Sequence, residues 1–308
     1  MRMLPDMSDA PSALDAELVA IGRAAPGGDP DAEPVTLYDR HGVLVLRVGG
    51  VVVKAHQAGR DTGPPLAARM AAAAALPELL LPPVGPPRRV RDRVVTVWPY
   101  GEPVGPEDPP WEEGGRLLAR LHLTDHRRLT VPRWERPVRA ARAVARLSPD
   151  GAAERVIREA FAGLPAWVRG EAPAPPPPRP TLIHGDWHLG QLVRMPDGAW
   201  RMIDVEDLGI GDPAWDLARP AALFSAGVLP PEDWSRLLAG YASAGGPAAT
   251  PEGELWDRLD IPAQTLAIQI AATCVISARS AGRPLDGFED ALVDACSRIS
   301  ATRGSPRT

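Results

Sequence analysis

The chain of 308 residues is poor in cysteine and has no long uninterrupted apolar run. Its two cysteines, Cys274 and Cys296, cannot form the disulfide framework of a small secreted protein, and they suit a reducing compartment. The first residues, MRMLPDMSDAPS, lack the apolar stretch of a secretory signal. The longest apolar segment, 266–276, is interrupted by Gln269 and is too short to span a bilayer. The sequence therefore predicts a cytoplasmic protein without a membrane partner.

Lysine is almost absent. The sequence has 34 lysine and arginine residues, and Lys54 is its one lysine. Arginine cannot replace the compact, strongly hydrated charge of a lysine on its slim stem, so this position is a candidate functional site. The net charge is -5, and the one tight basic cluster, at 88–93, reads as an exposed edge strand. This distribution argues against nucleic acid as a partner.

The hydrophobic pattern divides the chain into two domains. Residues 1–100 predict a leading helix, a small antiparallel sheet and one further helix, with helices at 12–23 and 64–76 and strands at 35–38, 43–48, 51–55 and 94–98. Residues 101–308 predict a mainly helical domain with a short hairpin, with helices at 112–122, 138–147, 152–166, 212–223, 231–242, 253–279 and 287–303 and hairpin strands at 191–195 and 200–203. The fold class predicted is α+β.

Imidazole, carboxylate and amide side chains concentrate in one segment, TLIHGDWHLGQLVRMPDGAWRMIDVED, residues 181–207. Phosphoryl transfer needs a carboxylate that accepts the proton of the substrate hydroxyl, oxygen ligands for Mg²⁺ and a cation for the nucleotide phosphates. Asp186 suits the first role, and Gln191 and Asp204 suit the second. Lys54, on a predicted strand, suits the third.

The same segment resembles a known family. HGDWHLGQ followed by IDVEDLGIGDPAWDLA is similar to the aminoglycoside phosphotransferase family, and VLRVGGVVVKA is similar to the strands that carry its phosphate-binding lysine. The phrase HLGQ also resembles maltokinases and actinobacterial glucosamine kinases. The motif match is close over residues 181–218 and looser elsewhere.

The resemblance implies a bilobal protein-kinase-like fold, ATP or GTP as phosphate donor, Mg²⁺ as cofactor and a small-molecule hydroxyl acceptor. It implies Asp186 as the catalytic base and Gln191 and Asp204 as metal ligands. The roles expected for the remaining residues are phosphate binding for Lys54, contact with the nucleotide base for Thr96, Trp98 and Tyr100, support of the catalytic loop for His184 and Asp216, and contact with the acceptor for Glu206 and Asp207.

The chain departs from the family pattern in three places. Gln191 stands where the family has Asn, and its amide oxygen reaches one methylene further. The predicted helix at 64–76 contains no acidic residue to pair with the lysine, so Asp61 or Glu78 are candidates for that role. The loop at 39–42, expected to cover the nucleotide, is short and has one glycine.

Two other functions stay open from sequence. His184, Asp186, His188 and Asp204 also fit the ligand set of a metal-dependent hydrolase. The departures from the family pattern also fit a catalytically silent, kinase-like binding protein.

The identity of the acceptor is equally open. A polycationic aminoglycoside requires an acidic pocket, for which the candidates are Glu232, Asp233, Glu252, Glu254, Asp257 and Asp260. A neutral sugar, an amino sugar, choline or another small alcohol remains possible, and the sequence indicates no oligomeric state.

Overall fold

The computed structural model describes residues 13–40, 42–59, 63–134, 137–249 and 252–304, without the side chains of 252–254 and 303–304. It confirms the α+β class, with an antiparallel sheet followed by a mainly helical remainder. The chain forms two compact units. The first combines residues 1–103 with 193–206, and the second combines 104–192 with 207–308. The segment that ends in Asp204 therefore belongs to the same unit as Lys54.

The first unit is built on a five-stranded antiparallel sheet in the order β1-β2-β3-β5-β4. Its strands are β1 (Val35–Arg40), β2 (Val43–Val48), β3 (Val51–Ala55), β4 (Arg88–Val90) and β5 (Arg93–Pro99). Burial alternates along β2 and β3, so one face packs on the core and the other stays partly accessible. The arginine-rich strand β4 lies at an edge, as the sequence predicts.

Two helices and a second small sheet complete the first unit. Helix α1 (Ala13–Ala24) packs on β2 and β3, while α2 (Gly63–Ala75) is alanine-rich and has no acidic side chain. Strands β6 (Glu102–Pro103), β8 (Leu192–Arg194) and β9 (Trp200–Met202) form a three-stranded sheet that contains the predicted hairpin. Met202 exchanges backbone hydrogen bonds with the segment after α2, and this contact anchors the hairpin and the residues that follow it.

The second unit is mainly helical. Its helices are α3 (Trp111–His122), α4 (Val138–Ala145), α5 (Ala152–Ala162), α6 (Ala166–Arg169), α7 (Ala214–Ser225), α8 (Pro231–Ser243), α9 (Glu252–Ser280) and α10 (Gly287–Gly304). The last three helices confirm the sequence prediction closely. Strands β7 (Thr181–Ile183) and β10 (Gly209–Gly211) pair antiparallel and flank the polar segment. The sequence analysis missed β10 because Gly-Ile-Gly carries no strand pattern.

The apolar stretch in α9 is longer than the sequence analysis predicted. Residues Leu255–Ser280 are long and apolar enough to cross a membrane by length and composition. Half of that stretch is buried inside the protein. The helix contacts α4, α5, α7 and α10, which is the packing of a core helix.

Helices α3 and α8 approach closely because each presents a glycine at their crossing. A Cβ atom on Gly115 would lie 2.2 Å from the carbonyl oxygen of Leu237, and one on Gly240 would lie 1.9 Å from that of Glu112. Neither distance is compatible with a side chain. The close crossing brings His122, at the end of α3, within hydrogen-bond distance of Tyr241 on α8.

We predict that Gly240→Ala destabilises the protein by about 1–3 kcal/mol, because the added methyl group forces α3 and α8 apart. Urea denaturation measures the change. Gly287→Ala is the matched control, since a Cβ atom there meets no atom within 4 Å. Equal stability of the two variants would contradict the glycine-mediated crossing.

Candidate active site

The polar segment begins with a loop whose backbone is held by a buried carboxylate. His184 and Gly185 follow strand β7, and their backbone N–H groups donate to the two oxygens of Asp216 at 2.6 and 2.7 Å. Asp216 lies in the first turn of α7 and is fully buried. Gly185 has φ of +85°, a left-handed conformation that suits glycine. These bonds set the direction in which the next residue, Asp186, leaves the strand.

A buried chain of hydrogen bonds supports Asp216 from the opposite side. His122 Nε2 lies 3.0 Å from Asp216 Oδ2, and its Nδ1 lies 2.7 Å from the hydroxyl of Tyr241. The Tyr241 hydroxyl also accepts from the backbone N–H of Ala248 at 3.1 Å. With the Nε2–H tautomer of His122, every donor in this chain meets one acceptor. Burial raises the pKa of Tyr241, so its hydroxyl stays protonated and donates to His122.

The carboxylate of Asp186 is partly exposed and lies between two arginines. Arg219 on α7 donates to Asp186 Oδ1 at 2.6 Å, and Arg139 on α4 lies 3.6 Å from its Oδ2. Arg139 also donates to Asp207 at 2.8 Å. Among the described residues, two carboxylates and two guanidiniums thus form one network. The two helices hold the Asp186 side chain in a defined orientation.

Gln191 lies in a short 3-10 turn at the end of the same loop. Its amide nitrogen is 3.2 Å from Nε2 of His188, which accepts the bond when its proton is on Nδ1. This bond orients the amide so that its oxygen, rather than its nitrogen, is the atom that suits a cation. His188 thus orients Gln191, a role that the sequence analysis did not assign.

In the first unit, Lys54 is held by two carboxylates. Its ammonium group donates to Asp204 Oδ1 at 3.0 Å and forms an ion pair with Glu206. Burial alone lowers the pKa of Lys54, but the charges of Asp204 and Glu206 outweigh it and raise the pKa above its ordinary value. Asp204 has φ of +60°, a strained conformation for a residue with a side chain. Strain of this kind is typical of functional positions.

Glu206 is itself fixed by a hydrogen-bonded chain that runs back to strand β5. His56 Nδ1 lies 3.2 Å from Glu206 Oε1, and His56 Nε2 lies 3.2 Å from the hydroxyl of Thr96, which accepts from Trp98 Nε1 at 3.0 Å. When its proton is on Nδ1, His56 directs this donor toward the Glu206 carboxylate and accepts from Thr96 through Nε2. Burial raises the pKa of Glu206, but the hydrogen bond from His56 and the charge of Lys54 lower it well below its usual range. Glu206 is therefore ionised at neutral pH.

The other residues singled out from sequence have separate surroundings. The guanidinium carbon of Arg47 lies 3.6 Å from the centroid of the Tyr100 ring. The backbone N–H of Tyr100 donates to the carbonyl of Gly50. Glu78 is exposed and lies 3.5 Å from Arg201, away from Lys54. Asp61 lies outside the described residues.

A pocket lies beside Asp186 in the second unit. Three tryptophans border it, namely Trp134, Trp187 and Trp215, together with Arg219 and Gln269. The rings of Trp134 and Trp215 are tilted at 44° with their centroids 4.9 Å apart. The indole N–H of Trp134 donates to the carbonyl of Gly185, which ties this wall of the pocket to the loop.

The chemistry of the donor set fits magnesium better than a transition metal. The carboxylate of Asp204 and the amide of Gln191 supply hard oxygen donors of the kind Mg²⁺ binds. Among the described residues, no group of three or more His, Cys, Asp or Glu side chains is arranged to hold a metal ion, so the hydrolase ligand set does not assemble there. Burial raises the pKa of Cys274 to about 11 and that of Cys296 to about 12, so both thiols stay protonated.

Five residues of these networks were missed by the sequence analysis as site residues. They are His56, His122, Arg139, Arg219 and Tyr241. Each lies outside the segment 181–207, and the tertiary fold brings it to the candidate site either directly or through a neighbouring side chain. Only His56 carried a local signal, since it follows the single lysine by two residues.

Comparison with known proteins gives a consistent result. The family model described as "Phosphotransferase enzyme family" matches residues 39–260, more than two thirds of the chain. No curated protein sequence matches the chain. A choline/ethanolamine kinase family protein from Mesorhizobium loti has a TM-score of 0.60 and 17% identity, covering 94% of this chain and 95% of its own.

Two further similar structures are those of enzymes that are named for other acceptors. An aminoglycoside-3′-phosphotransferase of type VIII has a TM-score of 0.55 and 21% identity, covering 83% of this chain and 98% of its own. A spectinomycin phosphotransferase, solved with ADP and spectinomycin, has a TM-score of 0.53 and 12% identity, covering 94% of each chain. At these identities the likeness shows a shared protein-kinase-like fold and leaves the acceptor undetermined.

We predict that Asp216→Asn destabilises the protein by about 2–4 kcal/mol, because an amide NH₂ replaces an oxygen that accepts from buried donors. Urea denaturation followed by tryptophan fluorescence measures the loss. Asp197→Asn is the control, since Asp197 is exposed and accepts one local bond from Ala199. A variant at 216 as stable as this control would show that Asp216 does not support the loop.

Proposed function

The chain belongs to the phosphotransferase enzyme family, and on that premise we propose that it transfers the terminal phosphate of ATP or GTP to a hydroxyl group of a small polar acceptor in the cytoplasm. The observation that carries the proposal is the ion pair between Lys54, the one lysine of the sequence, and Asp204, 150 residues away. A largely buried ammonium beside a carboxylate suits the binding of nucleotide phosphates and of a metal ion. The related spectinomycin phosphotransferase, solved with ADP, supports a nucleotide as donor.

In the proposed reaction, Asp186 accepts the proton of the acceptor hydroxyl as that oxygen attacks the terminal phosphorus. The bond from phosphorus to the bridging oxygen breaks, and the nucleoside diphosphate leaves. Arg139 and Arg219 hold the Asp186 carboxylate in place, and Asp216 holds the backbone from which it projects. Loop and helices are thus arranged before substrate binds, which lowers the cost of orientation in the transition state.

The first unit supplies the groups proposed to bind nucleotide. Lys54 contacts the phosphates, and Trp98 and Tyr100, at the end of β5, keep the proposed contact with the base. Asp204 would supply an oxygen ligand to Mg²⁺, which when bound neutralises charge on the phosphates. Gln191 keeps its predicted role as an oxygen ligand of the same ion. Thr96 keeps the proposed contact with the base through its backbone, while its hydroxyl contacts His56.

For Glu206 we propose a different role from the acceptor contact expected from sequence. Helix α2 has no acidic side chain to pair with the lysine, and Glu206 is the carboxylate that meets Lys54 together with Asp204. His56 fixes Glu206 in turn. Glu206 and His56 are therefore positioning residues that keep the Lys54 ammonium in place while phosphates bind.

The catalytic assignment predicts that Asp186→Ala and Asp204→Ala each lower kcat by about 100- to 10,000-fold, with the folded state retained. Release of nucleoside diphosphate, followed over a panel of hydroxyl acceptors with Mg²⁺, measures the change. Asp197→Ala is the matched control in the first unit. Nucleotide binding without phosphate transfer in the unaltered protein, for every acceptor, would instead support a catalytically silent binding protein.

The positioning assignment predicts that Glu206→Gln raises the KM for nucleotide by about tenfold, a cost of about 1.4 kcal/mol in binding. The KM for the acceptor should stay unchanged, because the substitution removes only the ion pair between Glu206 and Lys54. His56→Phe should cause a smaller rise, and His56→Gln, which restores a donor to Glu206, should recover most of the affinity. A loss of thermal stability with unaltered KM values would show that this network is structural only.

A further inference from the structure

The charge and lining of the pocket beside Asp186 indicate which class of acceptor it takes. We propose that the acceptor is an uncharged molecule with a hydroxylated ring, and that the pocket disfavours aminoglycosides and other polycations. This inference rests on the proposed function, because it names the molecule whose hydroxyl Asp186 activates. It uses only the described residues of the second unit.

Among the described residues, the charges around the pocket balance without a ligand. Asp186 is the one acidic side chain of the described lining, and Arg219 pairs with it. Arg139 reaches the same carboxylate and joins it to Asp207. An ammonium group gains little net attraction from these groups, because each of the two described carboxylates is matched by a guanidinium. Stripping water from a charged group without a new partner carries a high cost.

Four of the six acidic candidates from the sequence lie away from the described lining of the pocket. Asp233 pairs with Arg236, and Asp260 accepts from Gln264 within α9. Glu232 and Asp257 are exposed, and none of these four lines the pocket. The side chains of Glu252 and Glu254 lie outside the described part of the chain. These four carboxylates therefore do not contribute to the described wall around Asp186.

The tryptophans favour a ring with apolar faces. Trp134 and Trp215 border the pocket with large, rigid apolar surfaces, and Trp134 is fixed by its bond to Gly185. Such surfaces stabilise the C–H face of a ring, while a few polar groups orient its hydroxyls. Gln269 offers both a donor and an acceptor to those hydroxyls. Leu266 extends the apolar lining.

A quaternary ammonium acceptor is the main rival, because aromatic rings attract cations. The arrangement opposes it in two ways. The centroids of Trp134 and Trp215 are 4.9 Å apart, which leaves no space for an ammonium group between their faces. The guanidinium of Arg219 borders the same pocket and repels a cation at short range.

The test compares acceptors of similar shape that differ in charge. The pairs are glucose with glucosamine, and choline with its uncharged isostere in which carbon replaces nitrogen; kanamycin serves as the polycation. Transfer is followed by phosphorus NMR, and binding by calorimetry with Mg²⁺ and a non-hydrolysable ATP analogue. We expect the uncharged member of each pair to have a kcat/KM or affinity at least about tenfold higher.

Two variants locate the effect in the pocket. Gln269→Glu adds a carboxylate to the lining and should shift the preference toward the charged members by about tenfold. Thr273→Glu adds the same charge one turn further along α9, where the side chain is exposed, and should not change the preference. Trp215→Leu should weaken binding of the uncharged ring by about tenfold, and Trp215→Phe should restore part of it.

The outcomes separate this inference from the proposed function. A preference for the charged member of either pair, or equal effects of Gln269→Glu and Thr273→Glu, would overturn the inference and leave the phosphotransfer proposal standing. Binding of the uncharged ring with no transfer of phosphate would support the inference while the proposed function fails. Binding of none of the probes, with nucleotide binding intact, would overturn the proposed acceptor class.

Discussion

The fully buried carboxylate of Asp216 is the constraint on which the loop of the candidate active site depends. A carboxylate without water is costly, and Asp216 is stable because it accepts from two backbone N–H groups and from His122. Those partners come from three different elements of the second unit: the end of β7, the end of α3 and, through Tyr241, helix α8. The close crossing of α3 and α8 is therefore part of the loop's support, although it lies away from Asp186.

In the first unit, the charged group that requires partners is a cation, the ammonium of Lys54. Lys54 is buried enough to require partners, and two carboxylates separated by one residue provide them. The second of these, Glu206, compensates for an α2 helix without acidic side chains. His56 and Thr96 extend the support to β5. In the family pattern, an acidic residue on this helix pairs with the lysine. Here Glu206, from another part of the chain, pairs with Lys54.

Electrostatic balance links the proposed catalysis to the proposed acceptor. The two arginines that orient Asp186 also neutralise it among the described residues, and this balance is the basis of the inferred preference for an uncharged acceptor. Solved structures with the same fold are named for different acceptors, including choline/ethanolamine, aminoglycosides and spectinomycin. Acceptor choice in such a fold follows from side chains around the loop and not from the fold itself.

The sequence by itself determined the fold class, the long helices of the second unit and the segment that carries the proposed chemistry. It could do so because hydrophobic periodicity and the spacing of Asp186, Gln191 and Asp204 are local properties. Only the tertiary structure decided the partners: His122 with Asp216, Arg219 with Asp186, and Glu206 with Lys54. Each of these pairs joins residues that are 33 or more positions apart or lie on different elements, so no local pattern records them. The tertiary structure also decides the charge of the pocket beside Asp186, because that charge is a sum over side chains that only folding brings together.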